Sequence, residues 1–286
     1  EFHERRLASD LSLARVLALQ EGQRPELRVL VMSATLETAG LAEYLKPCEV
    51  LEAGGRMYPV EISYRPPPAP RRGKHGAMES VPVWEQVGKV CRDEIMARAN
   101  PEGSAGKNGE RILIFLPGAF EIRKTVELLE RSSWSRGWEV KPLYSALSPV
   151  AQGEAVGPGT MPRIIVATNV AETSITIDGV VSVIDSGLAR IAAFDARRAI
   201  DTLTVEKISQ ASAQQRAGRA GRTGPGRCVR LWSERDHSRR REFEDPEVHR
   251  VDLAGAVLYL KAGGVGEIRQ FRWLERSEEH TSELQS

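Results

Sequence analysis

No apolar run in the 286 residues reaches the roughly 20 residues that a membrane-spanning helix needs, which excludes a helical membrane protein. Cysteine is scarce: Cys48, Cys91 and Cys228 are odd in number, far apart, and without CxxC or His/Cys ligand spacing. A disulfide framework and a zinc site are thereby excluded, and a reducing cytoplasm is expected. Charge of one sign is also missing, since 40 Lys plus Arg against 39 Asp plus Glu leave a formal charge of +1. No global field draws this chain to nucleic acid, so any such site is local. Several catalytic signatures are absent too. Gly106-Lys107 is followed by Asn108, and Pro101 stands where a Walker A loop needs its first glycine. His3-Glu4 would open a zinc-protease HExxH only with histidine at position 7, which is Leu7. Asp185-Ser186-Gly187 is a strand-end turn rather than a G-x-S-x-G nucleophile elbow. His75, His237 and His249 stand in charged or loop-like contexts.

What is present is an alternation of strand-like and helical patterns, the signature of an α/β fold with a parallel sheet. Strands are expected at Arg28 to Met32, Val60 to Tyr64, Ile112 to Leu116, Arg163 to Ala167 and Val180 to Ile184. Helices are expected at Ala8 to Gln20, Ala39 to Leu45, Ser80 to Ala99, Ala119 to Arg131 and Val251 to Ala262. The proline-rich, charged stretch Arg65 to Lys74 and the stretch Asn100 to Glu110 are expected as surface loops. Arg190 to Ser209 alternates apolar and polar residues around Asp195-Ala196-Arg197-Arg198, a β-hairpin pattern.

The run Gln214 to Gly224 places arginines among the smallest side chains. Read as one helix, Gln215, Arg219 and Arg222 lie at i, i+4 and i+7 and share a face. The intervening Ala and Gly would let another body approach the backbone, and guanidinium suits an anion such as phosphate. Ser212 is expected as the cap, with Gln215 completing a capping box, and Gly224-Pro225 as the stop.

Short blocks then follow one another in a particular order: Glu1-Phe2-His3, Ser33-Ala34-Thr35, Phe115 to Gly118, Ala167 to Gly179, and the arginine run. Together they resemble motifs II to VI of DEAH-box superfamily 2 helicases. Glu1 to Arg5, Asp252 to Gly255 and Phe271 to Leu274 look most like the bacterial HrpB-type branch. The resemblance implies two RecA-like domains, ATP with Mg2+ between them, and RNA across their top edges. Glu1 would position the attacking water and His3 would sense the site, with a magnesium-holding aspartate before Glu1. Ser33, Ala34 and Thr35 would couple the nucleotide site to the nucleic acid, though such residues also form turns. Thr168, Asn169, Thr173, Ser174 and Ser145 would contact RNA, and Thr/Ser capping of a helix starting near Val170 to Glu172 is compatible with that. Asp178 would reach the nucleotide, with Gly179 allowing the turn. Gln215, Arg219 and Arg222 would act on the γ-phosphate, the two arginines as fingers. Arg197 and Arg198 would touch phosphate at the hairpin tip, where an exposed basic turn without function fits equally.

The domain expectation is a remnant of RecA-like domain 1 over 1–57, RecA-like domain 2 over 58–234, the start of a small helical winged-helix domain over 235–275, and an artefactual or disordered tail over 276–286. That tail resembles a translated sequencing adapter. The expected parent is a monomeric cytoplasmic ATP-dependent helicase acting on RNA, without membrane association. The fragment itself, lacking the P-loop, is expected to be inactive. A non-catalytic nucleic-acid-binding module and a DNA-directed translocase are the alternatives.

Overall fold

The computed structural model describes residues 2–33, 39–53, 55, 58–72, 78–98, 109–173 and 175–275. The chain divides into two compact units, one gathering Glu1–Ala53, Ile191–Thr204 and Glu244–Ser286, the other Gly54–Arg190 and Val205–Phe243. Among the described residues, no helix is long and apolar enough to cross a membrane.

The first unit opens with a 3-10 turn, Phe2–Glu4, followed by helix α1 (Leu7–Glu21). Its buried residues Asp10, Leu11, Leu13, Ala14 and Leu17 recur at three- and four-residue spacing and so form one stripe. Helix α2 (Ala39–Tyr44) is short. The strand expected at Arg28 to Met32 does not form. Its residues are irregular, with Leu30 81% exposed, because ladder bonds need a neighbouring strand and no strand lies between residues 2 and 53 among those described. Later in this unit, helix α8 (Ala254–Ala262) starts at Ala254 rather than Val251, where the Asp252 carboxylate accepts the Ala254 N–H.

The second unit is built on strands β1 (Val60–Tyr64), β4 (Arg111–Phe115), β5 (Glu139–Leu143), β6 (Arg163–Ala167), β7 (Val180–Asp185) and β10 (Gly226–Arg230). They form one sheet in the order β1-β10-β7-β4-β6-β5, and every pairing is parallel. Central strands β4 and β6 are buried along their whole length, which is why they read as unbroken aliphatic runs. Side chains alternate across the pleat, and the two cores divide accordingly. Ile112, Ile114, Ile164 and Val166 face Val87, Cys91 and Ile95 of helix α3 (Val83–Arg98) and Ile122 and Leu129 of helix α4 (Ala119–Arg131). Leu113, Phe115, Ile165 and Ala167 face the opposite core, shared with Ala217, Ala220 and Cys228.

Strands β5 and β10 and helix α5 (Pro149–Val156) were not expected. β5 carries Pro142, tolerated because the strand is at the sheet edge. The stretch Arg65 to Lys74, expected as a plain loop, contains β2 (Arg71–Arg72), which pairs antiparallel with β3 (Met78–Glu79) beyond it. The helix expected from Val170 to Glu172 is only a 3-10 turn, Asn169–Ala171. The hairpin is present as β8 (Leu188–Asp195) and β9 (Ile200–Lys207). Helix α6 (Gln210–Gly218) follows it, then the single turn α7 (Glu234–His237) and α8 (Ala254–Ala262). A winged helix is not shown over 235–275.

Candidate functional site

A parallel sheet has two unlike edges, and the chain between β6 and β7 must run from one to the other. Thr168 and Asn169 leave β6 at the C-terminal edge, where the Thr168 N–H donates to the Leu143 carbonyl at 3.1 Å. Ser145 follows β5 at the same edge and is exposed, as is Asn169, while Thr168 and Thr173 are half-buried. The crossover ends at Asp178 and Gly179, at the N-terminal edge, where Gly179 accepts the Arg111 N–H at 2.8 Å. Five strand residues at about 3.3 Å each put roughly 16 Å between the two ends. Gly179 has φ +73° and its α-carbon lies against the Gly109 carbonyl, so only glycine makes this turn without strain. Asp178 is exposed. The residues assigned to nucleic acid therefore gather at the C-terminal edge, and Asp178 does not join them.

Arg222 comes to the same edge as Asp178. It follows a 3-10 turn, Arg219–Gly221, just before β10. Gly221 accepts the Tyr58 N–H at 2.9 Å, ahead of β1. A Cβ on Gly221 would approach the Tyr58 carbonyl to 2.6 Å, so this glycine admits the chain's own backbone, not an outside body. The cap of α6 is Ser209, whose hydroxyl accepts the Ser212 N–H at 3.1 Å. Ser212 lies inside the helix, and the helix stops at Gly218, well before Gly224.

The tightening to a 3-10 turn also breaks the common face of the arginine run. Gln215 is half-buried, Arg222 is exposed, and Arg219 is only 4% exposed. Arg219 Nη1 donates to the Ile175 carbonyl at 2.8 Å and Nη2 to the Glu172 carbonyl. In this conformation its guanidinium is turned onto its own domain.

Arg216, which sequence reasoning passed over, is the most deeply placed of the four polar residues. Its Nε donates to Glu172 at 2.8 Å and its Nη1 to Asp185 at 3.0 Å, and its guanidinium stacks on Phe115 with 4.8 Å to the ring centroid. Burial opposes its charge, yet Asp185 and Glu172 outweigh burial and hold its pKa above the ordinary guanidinium value. The Ser212 hydroxyl donates to the other Glu172 oxygen at 2.6 Å. Asp185 also accepts the Gly187 N–H at 2.8 Å, closing the strand-end turn. Glu172 and Asp185 were missed as well; their only sequence signal was a carboxylate following a short polar block and another ending an aliphatic strand.

In the first unit the Phe2 N–H donates to the Met32 carbonyl at 3.0 Å, which brings half-buried His3 beside exposed Ser33 along the backbone. Glu1, Ala34, Thr35, Ser174 and His75 lie outside the described residues. At the hairpin tip Arg197 and Arg198 are exposed, and the Asp195 carboxylate accepts both of their N–H groups, at 3.0 and 3.3 Å. Below the tip, Phe194 N–H donates to the Arg250 carbonyl at 2.7 Å, and Arg250 Nη1 to the Ala192 carbonyl at 2.6 Å.

An exposed guanidinium and an exposed carboxylate on one edge match the phosphate and hydroxyl groups of a nucleotide. Among the described residues, no group of three or more His, Cys, Asp or Glu is placed to hold a metal ion.

Residues 92–224 match the helicase conserved C-terminal domain. The ATP-dependent RNA helicase HrpA of Escherichia coli is 39% identical over 277 residues, 96% of this chain and 20% of that protein. The probable ATP-dependent RNA helicase DHX34 of Homo sapiens is 37% identical over 279 residues, 96% of this chain and 23% of that protein. The crystal structure of the Escherichia coli DEAH/RHA helicase HrpB superposes with a TM-score of 0.82 at 35% identity, covering 96% of this chain and 33% of that one. The chain thus spans between 20% and 33% of the length of these relatives.

Proposed function

The chain belongs to the DEAH-box helicase family, and on that premise we propose that its second unit is the second RecA-like domain of an ATP-dependent helicase acting on RNA. One observation carries the reading: a single parallel sheet holds Asp178 and Arg222 on its N-terminal edge and Thr168, Asn169 and Ser145 on the other. Bound ATP would supply the phosphoanhydride bond, and because the arginines belong to the second domain its hydrolysis would require closure of the cleft. Arg222 binds phosphate and Asp178 a ribose hydroxyl. Arg219 joins Arg222 once it leaves the Glu172 and Ile175 carbonyls, and Gln215 orients the approach. Thr168, Asn169, Thr173 and Ser145 hold RNA phosphates and 2′-hydroxyls, contacts that fix position without reading bases. Arg197 and Arg198 add phosphate contacts at the hairpin tip. In the first unit, Ser33 to Thr35 link the two functions, Glu1 positions the attacking water and His3 senses that site, with Mg2+ held by an aspartate before Glu1. No Walker A loop occurs in the 286 residues. RNA is preferred to DNA because the relatives' names specify RNA.

The test is RNA-stimulated ATP hydrolysis by the full-length enzyme. Arg222→Ala is expected to lower kcat by about a thousandfold, the range for an arginine finger. Asn169→Ala is expected to weaken RNA binding several-fold, read by fluorescence anisotropy. Hydrolysis that survives Arg222→Ala within about tenfold would remove the phosphate role.

A further inference from the structure

Glu172 is tied twice to helix α6 and once to the turn that follows it. Its carboxylate accepts the Ser212 hydroxyl at 2.6 Å and Arg216 Nε at 2.8 Å. Its carbonyl accepts Arg219 Nη2. Ser212 and Arg216 are one turn apart on α6, so a single carboxylate grips two rungs of the same helix and fixes its rotation as well as its distance. All three bonds have an ionised donor or acceptor, the stronger class, and the Arg216 bond joins two ionised groups. Arg216 then carries the restraint on to Asp185 at the end of β7. The backbone that bears Glu172 is also the backbone that begins at Thr168 on one edge and ends at Asp178 on the other. A shift of the Thr168 to Thr173 turn must therefore carry α6 with it or break these bonds.

Arg219 completes the linkage. It rests on two carbonyls of the crossover, Glu172 and Ile175, and neutral carbonyls are weaker partners for guanidinium than phosphate oxygens are. Phosphate oxygens would therefore compete with these carbonyls for Arg219, and the segment that bears the carbonyls is the one Glu172 clamps.

Resting on the proposed function, we propose that Glu172 is a positioning residue coupling RNA engagement at the C-terminal edge to the release of Arg219 at the opposite edge. In the apo state the crossover carbonyls withhold Arg219. Movement of the Thr168 to Thr173 turn is transmitted through Glu172 to α6, and the arginine exchanges carbonyls for phosphate.

The test compares ATP hydrolysis with and without RNA in the full-length enzyme. Glu172→Ala is expected to reduce the stimulation ratio about tenfold, the scale of one charge-assisted hydrogen bond lost. Glu172→Gln retains an acceptor for one rung and restores part of the ratio. Ser212→Ala, the milder change should Glu172→Ala fold poorly, gives an intermediate loss. A second readout needs no nucleotide: amide hydrogen exchange over residues 169–178 is expected to accelerate in Glu172→Ala and in Ser212→Ala. Rates that fall in the same proportion with and without RNA would overturn the coupling, as would unchanged exchange. Hydrolysis by the unsubstituted enzyme that ignores RNA would overturn the substrate reading itself, whereas the exchange result bears on the Glu172 linkage alone.

Discussion

Arg216 in the sheet unit and Arg5 in the discontinuous unit each bridge two carboxylates, yet their surroundings make the same chemistry worth different amounts. Arg216 is 1% exposed and Asp185 is 0% exposed. The ion pair, helped by Glu172 and the Phe115 ring around Arg216 and by the Gly187 N–H on Asp185, compensates their desolvation, so removing Arg216 leaves Asp185 buried without its counter-charge. Arg5 is 15% exposed and reaches Asp10 at 3.2 Å and Glu275 at 2.6 Å, and Glu275 is 40% exposed, so water shares the load. The sheet unit encloses its arginine between wholly buried strands; the other unit holds its arginine among helices and turns. Burial, not the count of ionic contacts, decides which pair the fold depends on.

The largest break in this comparison is Arg216→Ala, expected to destabilise the sheet unit by about 3–5 kcal/mol, because buried Asp185 loses its counter-charge. Urea unfolding followed by tryptophan fluorescence reads it, since Trp84, Trp134, Trp138 and Trp232 all belong to that unit. A loss below about 1 kcal/mol would make the two arginines equivalent, as exposed pairs are.

Arg5→Ala is expected to cost about 1–2 kcal/mol, less than a buried pair because of the exposed partner. The pH dependence sharpens the point. Burial already pushes the Asp10 carboxyl above its ordinary 3.8, against the pull of Arg5. A carboxyl raised in the folded state contributes stability at low pH that is lost as pH rises through its folded pKa. Without Arg5 the folded pKa rises further, so the deficit of Arg5→Ala at neutral pH should shrink on acidification toward 3.8. A deficit that grows on acidification would contradict this.

The smallest effect concerns His237, in the sheet unit. Burial lowers its pKa from 6.5, Arg230 and Arg240 add to the lowering, and Asp236 and Glu234 oppose it. Its Nε2 lies 3.0 Å from Arg230 Nη1. A histidine depressed in the fold favours the native state above 6.5 and loses that contribution as pH falls through the folded pKa. His237→Gln, which keeps an acceptor for Arg230, should flatten the stability profile just below pH 6.5, measured as Tm against pH.

Strands β4, β6 and β7 and helix α4 were legible because aliphatic runs and a clean amphipathic period survive any context. Strand β10 was not. Its Arg227 and Arg230 look like surface residues until Glu61 and the Tyr64 hydroxyl are brought beside them by strand pairing. The Arg28 to Met32 stretch shows the converse, a strand pattern without a neighbour to bond. At the site, the motif blocks supplied the candidate residues, whereas the bonds of Glu172 depend on two partners 40 and 44 positions away.

The amino-acid order alone determined the family resemblance and the alternating α/β architecture, because each rests on local pattern and residue chemistry. Tertiary structure alone decided the rest. Parallel pairing assigns Thr168 and Asp178 to opposite edges, and a helix tightened at Gly218 turns Arg219 inward while leaving Arg222 exposed. Burial and distance between residues far apart in sequence are properties of packing, and no local periodicity encodes which of two neighbouring arginines the fold will keep for itself.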